Sequence, residues 1–515
     1  MKTIATFIFA LAFSWSCIGQ QNIYFVASNG NDQHDGHSQQ TAWKTLSKIN
    51  GSHFSAGDKI LLEGGSLFIG QIFLDQEDKG SPVKPITIGS FGEGKAIIQN
   101  NDSTAVKILN TGGIVIKNLV VKSNDATKNK GSGIEIINTI EQANKQKFIR
   151  VENCIISGFG NDGIWLGGKP VDRSQSGFED VIFSNCEVFN NRNHGIFVTG
   201  VWDTQAVGYA NKTLRIENCV AHDNTGDPLF LENHSGSGME IDNVEDALIE
   251  YCSAYNNGYL CNSRVGGPCG IWLHAANNSI IQYCTAINNR TGSGLDGAGF
   301  DLDGGTTNCI IQNCYARDND GAGILVWNYD QAPHRLGDNI IRHNILENNG
   351  RKNSYGEIHI GTSGTAIKNM TIENNTIFSS RQPGTDGKCI AITYGENNNF
   401  TIQRNVFISN GVSFFEINKN QQNLTIKDNT YWSTISNFVF KEGEMTYSTF
   451  TEWQKQTNHE INAGNSTATI ENPFSLLNST ETPSPKSIGQ LKAYQPANNS
   501  QLVKKRPLVG ALPFK

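Results

Sequence analysis

The fold class this chain predicts is all-β: a single-stranded parallel β-helix with an N-terminal cap and an irregular C-terminal tail. Three observations carry that prediction. A short motif recurs at near-constant intervals, a glycine-led motif interleaves with it, and the composition is rich in Gly and poor in charge. Of 515 residues, 53 are Gly and only 17% are charged, below the roughly 25% usual in soluble domains. Such a composition argues against coiled coils and long helical bundles. With 41 Lys+Arg against 48 Asp+Glu, the net charge is −7. A mildly acidic chain without basic runs is a poor match for nucleic acid or an anionic membrane. At 37% hydrophobic residues it can build a large core.

The first 19 residues read as a secretory signal: Lys2, an apolar run over 4–13 and a small-residue stretch over 14–19. The apolar run is too short to span a bilayer. Cys17 offers a lipidation alternative. No later stretch reaches the roughly 18 apolar residues of a membrane span, so the chain reads as an exported protein, monomeric and without a transmembrane segment. Residues 20–105 read as a cap with one short helix over 41–50, feeding the first coils.

The core follows over 106–432. An apolar residue, two polar residues and then Asn or Cys end at Asn118, Cys154, Cys186, Cys219, Cys252, Cys284, Cys314, Asn344, Asn375, Asn405 and Asn429. The steps are 36, 32, 33, 33, 32, 30, 30, 31, 30 and 24. Interleaved are GIEII at Gly133, GIWLG at Gly163, GIFVT at Gly195, GMEID at Gly238, GIWLH at Gly270, GFDLD at Gly299 and GILVW at Gly323. Short period-2 strands separated by Asn/Asp/Gly turns cannot bury their own faces, so they must stack on their neighbours. The Cys/Asn column becomes an internal ladder in which Asn amides bond one another and Cys acts as a small hydrophobe. The six ladder cysteines are expected to be reduced, since in-register neighbours are poorly oriented for disulfides. Cys261 and Cys269, flanking the loop YLCNSRVGGPCG, are the best-placed disulfide candidates. Residues 433–515 read as a capping tail, needed because an open end exposes core and strand edges.

Alternation along the glycine-led strands assigns the chemistry. Inward positions are apolar throughout. Outward positions are Glu135/Ile137, Trp165/Gly167, Phe197/Thr199, Glu240/Asp242, Trp272/His274, Asp301/Asp303 and Leu325/Trp327, with His359 on the next coil. One outer wall therefore gathers Glu240, Asp242, Asp301, Asp303 and His274 as catalytic candidates. Trp272, Trp327, His359 and Arg335 are the candidates for holding a sugar. The alternative is that long loops cover the aromatics. Asp301 and Asp303, i and i+2, should lie about 6.6 Å apart at Cα. Asp242 and Asp303 share a column about two coils, roughly 9–10 Å, apart. Either pair suits the 6.5–9.5 Å of an inverting glycosidase. Crowding raises one carboxyl pKa, as a general acid requires. Asp296, Asp301, Asp318 and Asp320 are candidate calcium ligands, although DNDG at 318–321 equally suits an Asx-rich turn.

With those residues in view, the N-terminal YFVASNGND…AWKTLSKI…AGDKILLEGG resembles the entry of secreted bacterial right-handed parallel β-helix proteins that act on polysaccharides. GIWLHAANN followed by GFDLDGG is similar to strands of β-helical xylosidases, which implies Asp303 as nucleophile; Trp327 stands where that family carries its acid Glu. DGAGFDL resembles the DGFDL element of β-helical pectate lyases, which implies calcium on Asp296 and Asp301; the lyase lysine has no counterpart on the outward positions. The leading expectation is a glycoside hydrolase of poly- or oligosaccharides that needs no cofactor. The alternatives are a calcium-assisted lyase of a uronate polymer, with His359, His274 or Tyr329 as base and Arg264 or Arg335 as helper, and a non-catalytic carbohydrate-binding protein.

Overall fold

The structure is a computed structural model and describes residues 21–419, 421–461, 466–469, 482–491, 494 and 510–511. The expected signal sequence lies outside the described residues. The chain winds as a parallel β-helix whose coils each contribute strands to three faces. One face is a 14-stranded parallel sheet. The other two merge where single strands turn the corner: Met239–Glu250 pairs with both Ile196–Thr199 and Asn211–Glu217.

Register follows the apolar alternation. Ile134, Ile164, Ile196, Met239, Ile271, Phe300, Ile324, Ile358, Ile390 and Phe415 lie over one another in successive coils, all fully buried. Burial of each such side chain contributes about 1.5–3 kcal/mol. A one-residue slip would turn the whole set to solvent.

The turns are held by asparagine. In the expected column, Asn344, Asn375, Asn405 and Asn429 are fully buried, each Nδ2 donating to the next Oδ1 at 2.9–3.0 Å. Glu460 Oε1 terminates the stack at 2.8 Å. The cysteines continue the column, each thiol donating to the carbonyl two residues earlier, as Cys154 does to Glu152 at 3.3 Å. Asn118 is a correction: it stacks on Asn153, one residue before Cys154. A second ladder escaped the motif reading. Asn191, Asn224, Asn257, Asn289, Asn319 and Asn349 bond in series at 2.7–3.0 Å and end on Glu357 Oε2 at 2.7 Å. DNDG at 318–321 thus supplies Asn319 to a ladder.

The cap holds Ile23–Val26 paired with Lys59–Glu63 and a helix at Leu46–Asn50, shorter than the expected 41–50 because Thr45 is its N-cap. At the other end, helix Phe450–Thr457 lays Trp453 on Phe440, ring centroids 4.2 Å apart, and closes the core. Pro485–Gln490 packs Ile488 beside Tyr315, Ile345 and Val406 on the flank of the coils. Cys261 and Cys269 correct the disulfide expectation: both are buried free thiols. Cys261 packs against Gly226, whereas the Cys269 thiol turns toward Asp301 Oδ2 at 3.8 Å. Among the described residues no helix is long and apolar enough to cross a membrane.

Candidate active site

The outward column runs Phe197, Glu240, Trp272, Asp301, Leu325 and His359, residue over residue. Beside it Thr199, Asp242, His274 and Asp303 continue the wall: Asp242 pairs with His274, and the Asp303 N–H bonds Leu273 O at 2.9 Å. Long segments rise on both edges. Those entering the strands bring Glu232, His234, Arg264 and Asp296; those leaving them bring Trp202 and Tyr329. Together they enclose a cleft of about 1730 Å³.

Glu240, Asp242, Asp301, Asp303, His274, Trp272, Trp327, His359 and Asp296 all line this cleft. Their exposure separates them. Glu240, Asp242 and Asp301 are 3%, 6% and 3% accessible, while Asp303 and Asp296 remain partly open. Burial pushes the Asp303 carboxyl up to about 8, reinforced by the negative charges of Asp296 and Glu240. Asp301 is also raised, by burial first and then by Asp303 and Asp296. Burial likewise raises Asp296, against hydrogen bonds from Gly267 N–H at 2.6 Å and Tyr355 O–H at 3.2 Å. The Asp296 backbone sits at φ +46°, a left-handed conformation that Asp tolerates better than most residues and that costs energy at functional positions.

The buried acids are differently engaged. For Glu240, burial alone would raise the pKa, but His234 and His194 outweigh it and hold the carboxylate below its ordinary range. Asp242 is driven well up by burial and by Glu240, and accepts a bond from Thr199 Oγ1 at 3.0 Å. Burial pushes His274 down to about 4, so the ring is neutral; its Nε2 shares a hydrogen bond with the Tyr329 hydroxyl, and Trp202 lies 4.7 Å away, centroid to centroid. Burial and Lys388 take His359 down to about 3. Its Nδ1 accepts from Gly356 N–H, which leaves Nε2 to donate to Thr393 Oγ1 at 3.0 Å. Gly304, after Asp303, has no room for a side chain: a Cβ there would sit 2.7 Å from the Tyr329 ring.

Several expected residues are placed elsewhere. Trp272 is 2% accessible, covered by His234 and bonded through its indole N–H to Ser237 Oγ at 3.1 Å, so it offers no sugar platform. Arg335 pairs with Asp338 and does not line the cleft. The four-acid calcium site does not form. Asp318 pairs with Arg317 at 2.9 Å and Arg351 at 3.3 Å, and Asp320 with Arg290 at 2.8 Å, all away from the cleft. Acids already neutralised by guanidinium groups do not fit a calcium ion.

The motif reading missed Trp202, Tyr355, Tyr394 and His234, all lining the cleft. Each lies in an irregular connection, where the repeat period carries no information. Open aromatic faces come from Trp327, partly exposed, and Tyr394, 60% exposed, with ring centroids 5.7 Å apart.

Residues 94–235 and 138–334 match a family described as "Right handed beta helix region". A lacto-N-biosidase of Bifidobacterium longum subsp. longum is 25% identical over 396 residues, covering 72% of this chain and 23% of that protein. The chain therefore spans about a quarter of that relative's length. The crystal structure of a GH136 lacto-N-biosidase from Eubacterium ramulus, as its selenomethionine derivative, superposes with a TM-score of 0.54 at 16% identity. That match covers 82% of this chain and 68% of the other. The native form of the same enzyme gives 0.52. These likenesses establish the right-handed parallel β-helix.

Proposed function

We propose that this protein is a glycoside hydrolase that cleaves an oligosaccharide in the cleft, with Asp303 and Asp296 as its carboxyl pair. The observation that carries the reading is that these two carboxyls stay open to an aromatic-lined cleft while both are held above the ordinary carboxylate range. Asp301 and Asp242, the partners that strand alternation alone suggests for Asp303, line the cleft but are almost fully covered there. The likeness to lacto-N-biosidases supports a glycosidase over the other classes.

Neighbouring acids that cannot all ionise share a proton and titrate as a group. The protonated member donates to the glycosidic oxygen as the bond to the anomeric carbon breaks. Its ionised partner supports the positive charge developing on the sugar ring, by activating water or by direct attack. Asp301, whose own carboxyl is raised by burial and then by the charges of Asp303 and Asp296, keeps the group's proton affinity high. The His274–Tyr329 hydrogen bond and the Trp202 ring fix one rim, so these are positioning residues; Trp327 and Tyr394 stack against sugar faces. Elimination would instead need a cation to neutralise a uronate; Lys388 in the cleft is paired with Glu416 at 3.0 Å, so that role would fall to Arg264, exposed on the cleft edge.

Export belongs to the same reading: Lys2 and the apolar run over 4–13 suit a cleaved signal, and N-terminal sequencing of the secreted protein checks it. The function is tested by incubating the protein with neutral and amino-sugar oligosaccharides, including those that carry lacto-N-biose, and with uronate polymers. New reducing ends without the ultraviolet absorbance of an unsaturated uronate support hydrolysis. That absorbance would establish a lyase, and retention on glycans without any product would establish a binding protein.

A further inference from the structure

One cluster in the cleft wall is not used by the carboxyl pair. His194 ends the turn before Ile196–Thr199, Glu240 is the first outward residue of Met239–Glu250, and His234 lies in the irregular segment over 223–238 that covers Trp272. His194 Nε2 is 2.9 Å and His234 Nδ1 3.4 Å from Glu240 Oε2. One donor atom from each of the three side chains falls within 4.8 Å of the others. None of these three atoms has a hydrogen bond of proper alignment, although the His194 and Glu240 side chains are only 4% and 5% accessible. Their partners are one another, at ion-pair distance, yet buried polar atoms lacking aligned hydrogen bonds are rare, and three that converge on one point suit a shared cation.

We propose that His194, His234 and Glu240 bind a divalent transition-metal cation, zinc on the chemistry of the donors. Two imidazoles and one carboxylate are a common zinc set. Metal–ligand bonds of about 2.1 Å give ligand–ligand edges of about 3.4 Å in a tetrahedron, close to the observed separations, so small side-chain rotations admit the ion. The outer shell is in place. His194 Nδ1 lies 2.8 Å from Asp162 Oδ1, and Asp162 also accepts from Asn193 Nδ2 at 3.0 Å and from His194 N–H at 3.2 Å. That carboxylate fixes the ring with Nε2 turned toward Glu240, the arrangement that orients histidine ligands on metals. The ion would tie the 223–238 segment to two coils of the solenoid and hold the cover over Trp272. Glu240 is then a metal ligand, and its expected catalytic role falls away.

The test uses the untagged full chain, stripped with chelator and dialysed. Titration with Zn²⁺ should show one equivalent bound, Co²⁺ should give the visible d–d absorption of a low-symmetry site, and Zn²⁺ should slow proteolysis within 223–238. His234→Ala, in the covering segment, and Glu240→Gln, which keeps its shape, should each weaken binding at least about 100-fold. Asp162→Asn should weaken it about 10- to 100-fold. Absence of stoichiometric binding, or binding unchanged in both ligand variants, overturns the proposal.

Discussion

Replacing Asp303 by Asn removes a carboxyl that the cleft holds at about 8, through burial first and the charges of Asp296 and Glu240 second. An aspartate in the unfolded chain titrates near 3.9. Between those values the native state keeps a proton that the unfolded chain has released. The unfolded state therefore binds about one proton fewer, and stability falls by about 1.4 kcal/mol for each unit of rising pH. The effect is absent below roughly pH 4 and complete above roughly pH 8. From pH 5 to pH 7 Asp303 alone costs about 2–3 kcal/mol. Asparagine carries no such term, and most other titrating groups are common to both proteins. The variant should thus gain about 2–3 kcal/mol on the wild type between pH 5 and pH 7, while losing hydrolysis. Urea unfolding of both proteins at the two pH values, followed by tryptophan fluorescence, measures the difference. An identical midpoint shift at pH 5 and pH 7 would falsify the claim that the native cleft keeps Asp303 protonated, and the carboxyl-pair mechanism would go with it.

Activity should fall about 10²–10⁴-fold in Asp296→Asn, and by less in Asp301→Asn because that carboxyl is buried; steady-state kinetics showing the reverse order would move the pair back to Asp301 and Asp303. The kcat/KM profile should decline on its alkaline side with an apparent pKa near 8, as the carboxyl group around Asp303 gives up its proton; a profile flat to pH 9 contradicts it. Trp327→Ala should raise KM several-fold with kcat nearly unchanged, the signature of lost uniform binding. In the second ladder, Asn257 Oδ1 accepts from Asn224 N–H and Nδ2 at 3.1 and 2.9 Å, and its Nδ2 donates to Ala221 O and Asn289 Oδ1 at 3.0 and 2.9 Å. Asn257→Ala leaves these groups unpaired in a fully buried position and should cost about 3–5 kcal/mol, read as faster amide exchange in the adjoining coils.

How much was legible depended on whether a residue belongs to the repeat. The glycine-led strands placed Asp301 beneath Trp272 and His359 two coils beyond because stacking reproduces the same geometry at every turn. The first step misled by one residue, since Asn118 and Asn153 share a left-handed turn position next to the interior column rather than within it. The second asparagine ladder was visible as paired polar residues before each glycine motif, yet Asx-rich turns give the same pattern without any stacking. Trp272 stood outward by alternation, as expected. What removed it from the solvent was His234 and Ser237, contributed by an irregular segment with no period to read.

By itself the sequence determined the parallel solenoid, its coil spacing and the side of the wall on which the acids stand, because period-2 alternation and a repeat near 30 residues leave one way to bury every apolar column. Tertiary structure alone decided which of the acids lining the cleft stay open to it. Accessibility and proton affinity are set by what covers a side chain, and the covering segments are brought from distant turns whose paths no local pattern specifies. Asp303 and Asp301 are two residues apart on one strand end, and only the packing above them makes one open and the other buried.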